Sequence, residues 1–203
     1  MQKIADNLYV GNQQDYENTF FDDSFSFLLA AKEPWHREMI GYKGRACDKS
    51  HPEYLWGYRD RGSKLILNMV DAPSSLFFDK GMIDEALNFI EEELFKGKNV
   101  GIFCNEGRSR SASLGLLFLI KQGHIKGETL TDCEAEYLKI YPQYNPGKGI
   151  REFVKMNFAE YTRDICPNCG NKGLDYDFIE EDDGSKHDTI DCPKCGKRLF
   201  YED

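Results

Sequence analysis

An apolar, strand-like run (Asn99-Val100-Gly101-Ile102-Phe103) passes through Cys104-Asn105-Glu106-Gly107-Arg108-Ser109-Arg110-Ser111 into an apolar, helix-like run from Ala112 to Gln122. No other feature of the chain constrains it as much. A strand that turns into a helix through a short loop aims the loop amides at one spot, and the helix dipole adds positive potential there. The junction is a cradle for a tetrahedral anion. Arg110 can close it with a planar fork that pairs with two oxygens at once. Cys104 stands where the same field favours a thiolate, the nucleophilic form of sulfur. A thiolate on the floor of an oxyanion cradle suits phosphoryl transfer through a phosphocysteine. The plain alternative is a buried structural cysteine beside a solvated arginine.

Thiolate attack on a phosphate ester needs the leaving oxygen protonated, commonly by an aspartate on a loop. Upstream lies a second strand-like run, Leu65 to Val70, followed by Asp71-Ala72-Pro73-Ser74-Ser75. The segment from Asp79 to Gly97 reads as an amphipathic helix with Ile83, Leu87, Ile90 and Leu94 on one face, Asp79 as its N-cap and Gly97 as its stop. The order is strand, Asp loop, helix, strand, Cys loop, helix. In a parallel sheet with helical crossovers both loops emerge at the same edge, where ligands bind. Asp60 and Asp79 are the other acids available, although capping accounts for Asp79. Gly107 supplies backbone freedom within the cradle. Ser111, by residue type alone, is a small polar residue of a first helical turn.

The C-x5-R-S string with an acid upstream resembles the cysteine-dependent protein phosphatases, and more narrowly the dual-specificity phosphatase family. Rhodanese-type anion loops are typically one residue shorter. Low-molecular-weight phosphatases place the cysteine near the N-terminus and the aspartate far downstream, the reverse of the order here. The resemblance spans roughly Lys3 to Tyr161. It implies hydrolysis of phosphotyrosine and/or phosphoserine/threonine on protein substrates through a phosphocysteine, with no metal in the chemistry. Cys104 is then the nucleophile, Arg110 the phosphate clamp and Asp71 the general acid, while Ser111 donates to the Cys104 sulfur. The loop from Asn105 through Glu106, Gly107, Arg108 and Ser109 to Arg110 holds the phosphate. One departure is plain: the family has histidine immediately before its cysteine, and this chain has Phe103. Phenylalanine fills volume but cannot make the hydrogen bonds by which that histidine supports the loop. Slow turnover, or phosphate recognition without hydrolysis, would follow. A third option is a phosphate ester on a lipid, sugar or RNA end, which extra basic loop residues would favour; only Arg108 qualifies.

The fold class expected is α/β: a central, mostly parallel sheet flanked by helices. Residues 4–12 read as its first strand, Phe25 to Ala31 as another, and 130–141 and 149–161 as two closing helices. The stretch from Lys32 to Lys64 shows no clear period. It is mildly basic and aromatic-rich, with Trp35, Tyr42, Tyr54, Trp56 and Tyr58. It reads as part core-packed helix and part surface loop, or as a contribution to substrate recognition. His36, His51 and His124 lack ligand-like spacing and read as surface or locally bonded.

Cys166-Pro167-Asn168-Cys169-Gly170 and Cys192-Pro193-Lys194-Cys195-Gly196 are paired CxxC knuckles. Four thiolates from two tight turns suit a tetrahedral Zn²⁺, closed to substrate and therefore structural. A hairpin signal lies between them: 175–180, a turn at Asp183-Gly184, then 187–191, with 199–201 as a third strand. This is the zinc ribbon pattern. So small a segment has little core of its own and takes much of its folding energy from the metal. His187 could substitute as a ligand but is not needed. The expected division is 1–162, a dual-specificity phosphatase-like domain, and 163–203, the ribbon.

From Asp164 onward eleven acids face five bases, so this tail holds most of the net charge of −9. A nucleic-acid backbone would be repelled, and protein docking or stabilisation is the expected role. At 203 residues and 40% hydrophobic content the chain can bury a sizeable core. No signal peptide or long apolar span is evident, and no membrane association is expected. A reactive thiol and a thiolate metal knot favour a reducing, cytoplasmic setting. Cys47 and Cys133 read as free thiols, or as partners for an oxidised Cys104.

Overall fold

The computed structural model describes residues 1–180 and 186–200. The chain runs β1 (Gln2–Ala5), β2 (Leu8–Gly11), α1 (Gln13–Thr19), β3 (Phe25–Leu29), α2 (Arg37–Ile40), β4 (Trp56–Arg59), β5 (Lys64–Leu67), α3 (Lys80–Phe95), β6 (Asn99–Phe103), α4 (Arg110–Lys121), α5 (Leu130–Ile140) and α6 (Lys148–Thr162). It finishes with β7 (Asp175–Glu180), β8 (Lys186–Asp191) and β9 (Arg198–Phe200). The first six strands form one sheet in the order β1-β2-β6-β3-β5-β4. Its four inner strands are parallel, and β1 and β4 are antiparallel edges. Mixed sheets of this kind carry helices on both faces.

On one face Leu8, Val10, Leu28, Leu65, Leu67, Val100 and Ile102 pack under α3 to α6. On the other, Phe25, Phe27, Leu29, Ile66 and Phe103 form an aromatic-rich cluster with Trp35, Tyr9, Tyr16 and Met39. All five residues of β3 are buried, as expected of a central parallel strand that both layers cover. Every residue of α4 from Arg110 to Ile120 is buried, so its all-round apolar sequence marks the central helix. The Asp79 carboxylate accepts from the Met82 N–H at 3.0 Å and starts α3. Gly97, at φ 77°, follows its end.

Three expectations need correction. The first strand is a hairpin: Asn7 adopts a left-handed conformation (φ 57°) and splits β1 from β2. The stretch 32–64 contributes an edge strand, β4, that its irregular pattern concealed. His36 is wholly buried, with Nε2 2.9 Å from the Glu53 carbonyl, and burial lowers its pKa.

The three C-terminal strands form a separate antiparallel sheet in the order β7-β8-β9. The expected turn at Asp183-Gly184, the side chain of His187 and Tyr201 lie outside the described residues. This small sheet abuts the end of α4. Gly123 and Gly170, both at φ 70°, meet so closely that a Cβ on either would overlap the other's carbonyl. Lys172 approaches Glu91 at 3.8 Å, and Lys197 pairs with Glu128 at 2.9 Å.

Candidate active site

The carboxyl ends of the four parallel strands open on one edge of the sheet, and each supplies part of the site. Beyond β6 lies Cys104, almost fully buried. Its Sγ accepts from the Gly107 N–H at 3.3 Å and from the Ser111 hydroxyl at 3.1 Å. At the end of β2, the Gly11 carbonyl takes the Cys104 N–H at 3.4 Å. Gly107 sits at φ 78°, and a Cβ there would press on the Gly11-Asn12 backbone at 3.1 Å. The positive φ favours glycine, and the tight approach adds to that preference.

Arg110 is buried at the first turn of α4. Its Nη1 donates to the Met69 carbonyl beyond β5 at 3.0 Å, and its Nη2 donates to Asn105 Oδ1 at 2.6 Å. Asn105 Nδ2 in turn donates to the Glu33 carbonyl beyond β3 at 2.9 Å. These bonds fix the guanidinium, yet its Nε is buried without a partner. A buried unpaired donor costs free energy until an acceptor arrives.

Asp71, four residues beyond β5, is exposed, and its Oδ1 lies 3.2 Å from Ser109 Oγ. The other two acids do not reach this edge: Asp79 caps α3, and Asp60 pairs with Lys64 at 2.6 Å at the opposite end of β5. Glu106 and Arg108 form an exposed ion pair with each other.

Some contributors were not evident from the residue pattern. The Tyr141 hydroxyl donates to the Gly107 carbonyl at 2.9 Å. Burial pushes its pKa up to about 12, with the nearby Cys104 adding to the rise, so it remains a donor. Tyr137 and Tyr141, one turn apart on α5 and just after it, were the available signal. The Glu33 and Met69 carbonyls left no signal, since any residue type carries one. Cys133 borders the cavity between the far end of α4 and the small sheet, and burial raises its thiol pKa to about 11. It is therefore not placed beside Cys104.

No family model matches the chain. The dual specificity protein phosphatase PHS1 of Arabidopsis thaliana is 30% identical over 109 residues, 47% of this chain. The match spans only 11% of that relative's length. Among solved structures, the human tyrosine phosphatase-like serine/threonine/tyrosine-interacting protein superposes with a TM-score of 0.56 at 18% identity, covering 79% of this chain and 97% of that one. DUSP15 gives 0.56 at 17% identity, over 80% and 90%. The chain has the dual-specificity phosphatase fold. PTPMT1 aligns at 0.50 and 19% identity, over 80% and 96%.

Phe103, the residue before Cys104, stands where the resemblance led us to expect a histidine. Its fully buried ring lies 5.7 Å from Tyr16 and 6.3 Å from Phe27, folded over Gly101, where a Cβ would collide with it. It belongs to the aromatic cluster rather than to the loop's hydrogen-bond network. Here Asn105 and Tyr141 hold the loop instead.

The four knuckle cysteines bring their Sγ atoms within 4.8 Å of one another. Cys169 and Cys192 lie 3.5 Å apart, and Cys166 and Cys195 3.7 Å. A tetrahedral ion with metal–sulfur bonds of about 2.3 Å sets its sulfurs about 3.8 Å apart. The turns are those of metal knuckles: Gly170 and Gly196, both with positive φ, return their N–H groups to the Cys166 and Cys192 carbonyls at 2.8 Å. The cluster can hold a metal ion. Among the described residues no helix is long and apolar enough to cross a membrane.

Proposed function

We propose that this chain is a phosphatase that hydrolyses phosphotyrosine and/or phosphoserine/threonine on proteins through a phosphocysteine. The observation that carries the reading is the donor set gathered around one loop. Cys104 Sγ accepts from an amide and a hydroxyl, and the buried Arg110 keeps its Nε unpaired beside the same loop. A phosphate oxygen supplies the missing acceptor. The Cys104 thiolate attacks phosphorus, and the amides of residues 105–110 with Arg110 take up the non-bridging oxygens. As the P–O bond breaks, Asp71 gives its proton to the leaving oxygen. Water then attacks the phosphocysteine, the Asp71 carboxylate takes its proton, and the Ser111 hydroxyl stabilises the departing thiolate.

In this reading residues 1–162 form the catalytic domain and 163–203 a zinc ribbon. Cys166, Cys169, Cys192 and Cys195 hold a structural Zn²⁺ that stays outside the chemistry. The ribbon's acidity suits a protein partner rather than nucleic acid, and the free thiols suit the cytoplasm. A lipid phosphate is the second reading, because the PTPMT1 fold has been solved in complex with PI(5)P. Phosphate recognition without turnover is the third, and Phe103 is its basis.

The test is a panel of phosphotyrosine and phosphoserine peptides and phosphoinositide vesicles, with Cys104→Ser as control. Phosphate release from the peptides by wild type, lost in Cys104→Ser, is expected. Release from vesicles alone would move the substrate to lipid. No release between acidic and neutral pH would leave a recognition module.

A further inference from the structure

Ser109 lies in the anion loop, yet its side chain is committed elsewhere. It is buried, its Oγ accepts from the Gly147 N–H at 2.9 Å, and it donates to Asp71 Oδ1 at 3.2 Å. A hydroxyl has a single proton. Because the amide of Gly147 already donates to this oxygen, the proton is directed to the carboxylate. Gly147 immediately precedes α6 and is packed so tightly that a Cβ there would stand 2.7 Å from Asp71 Oδ1. Beside it, the Asn145 N–H donates to the Arg108 carbonyl at 2.9 Å. Three separate segments, the acid loop, the anion loop and the α5–α6 connection, meet at one hydroxyl.

We propose that Ser109, oriented by the Gly147 N–H, is a positioning residue that sets the orientation of Asp71 and decides which of its oxygens carries the transferable proton. The inference rests on the proposed role of Asp71 as general acid. With Oδ1 accepting from Ser109, the proton of the acid form resides on Oδ2. It passes from Oδ2 to the leaving oxygen as the sulfur–phosphorus bond forms and the phosphorus–oxygen pair departs. Without the Ser109 hydroxyl, the exposed carboxyl turns freely and either oxygen protonates. The bonds of Ser109 Oγ reach Asp71 and Gly147 rather than Cys104 or Arg110, so its loss acts first on the acid.

The discriminating measurement is the dependence of turnover on the leaving group. A weakly basic nitrophenolate departs without protonation, whereas a strongly basic phenolate needs the acid. Aryl phosphates spanning that range are assayed with wild type, Ser109→Ala and Asp71→Asn, alongside binding of inorganic vanadate. Asp71→Asn is expected to slow the poorest leaving group by about 100-fold. Loss of a hydrogen bond to a neutral carboxyl is worth about threefold to tenfold, so Ser109→Ala should slow that substrate by about that factor. The loss with the poorest leaving group should exceed both the loss with the best leaving group and the loss in vanadate affinity at least about threefold, and Ser109→Thr should recover most of that excess.

A mere structural role would depress all substrates and vanadate binding together. That outcome, or no change with any substrate, overturns the proposal for Ser109. If Asp71→Asn shows no leaving-group selectivity, or wild type turns over no aryl phosphate, the reading of Asp71 fails and takes this one with it. Should Ser109→Ala not fold, Gly147→Ala and Ser109→Cys carry the test. The methyl of the first meets Asp71 Oδ1 directly and so tests the acid alone; Ser109→Cys, with a weaker donor of similar shape, then tests Ser109, and a uniform loss or none overturns the proposal.

Discussion

Replacing Phe103 by histidine restores the residue that the family places before its cysteine, and the structure says this will harm the protein. The ring is fully buried, packed against Tyr16 and Phe27, and folded over Gly101 in a cluster with Phe25, Leu29, Trp35 and Ile66. Removing such a phenylalanine outright costs about 3–5 kcal/mol. An imidazole refills part of the volume, but its ring N–H enters a largely hydrocarbon wall. An unpaired buried donor costs about 1–3 kcal/mol. The net loss is about 2–4 kcal/mol, allowing for the retained volume. At about 2–4 °C per kcal/mol for a chain of this size, the melting midpoint falls by roughly 5–15 °C. Thermal and urea melts followed by circular dichroism measure this, with the urea m-value unchanged. Turnover on an aryl phosphate does not rise, because Asn105 and Tyr141 already hold the loop. An unchanged or higher midpoint together with faster turnover would refute the packing argument.

Tyr141→Phe removes the donor to the Gly107 carbonyl and leaves only Ser111 Oγ 3.3 Å away, whose one proton is directed to Cys104; stability drops by about 0.5–1.5 kcal/mol in urea melts and vanadate binds more weakly. Arg110→Lys cannot hold Met69, Asn105 and an anion at once, so vanadate affinity falls at least about tenfold by calorimetry, the equivalent of about 1.4 kcal/mol; equal affinity would remove Arg110 from the site. Thiol-reactive titration of the purified chain releases one Zn²⁺ per molecule and melts the three-stranded sheet before the main domain. A protein that carries no metal and melts unchanged with chelator would contradict the ribbon assignment.

The junction from β6 through Cys104 to α4 was legible because an apolar strand, an anion-loop spacing and an apolar helix follow one another without interruption. The helix α3 was legible because Asp79 and Gly97 punctuate it at both ends. The edge strand β4 was not. It shows no regular alternation, with Trp56 and Arg59 half-buried, Gly57 buried and Tyr58 exposed, and its pairing partner comes later in the chain. Asn7 hid a hairpin because a left-handed asparagine looks like any polar residue within a strand. At the candidate site, Cys104, Arg110 and Asp71 stood out in the sequence by type and order, but what holds Arg110 did not. Its partners are a main-chain carbonyl at Met69 and, through Asn105, another at Glu33. Backbone acceptors are invisible to a residue alphabet until the chain is folded.

The helix α4 has Arg110 and Ser111 in its first turn, and its twelve residues extend about 18 Å toward Gly123. There the contact with Gly170 seats the cysteine knuckle directly on the end of the same rod. The two positions are thereby bound to each other's smallness: neither can acquire a side chain while the other backbone stays in place. A descendant of this chain that kept the joint would keep both bare, and one that lost either would have to re-hang the ribbon elsewhere.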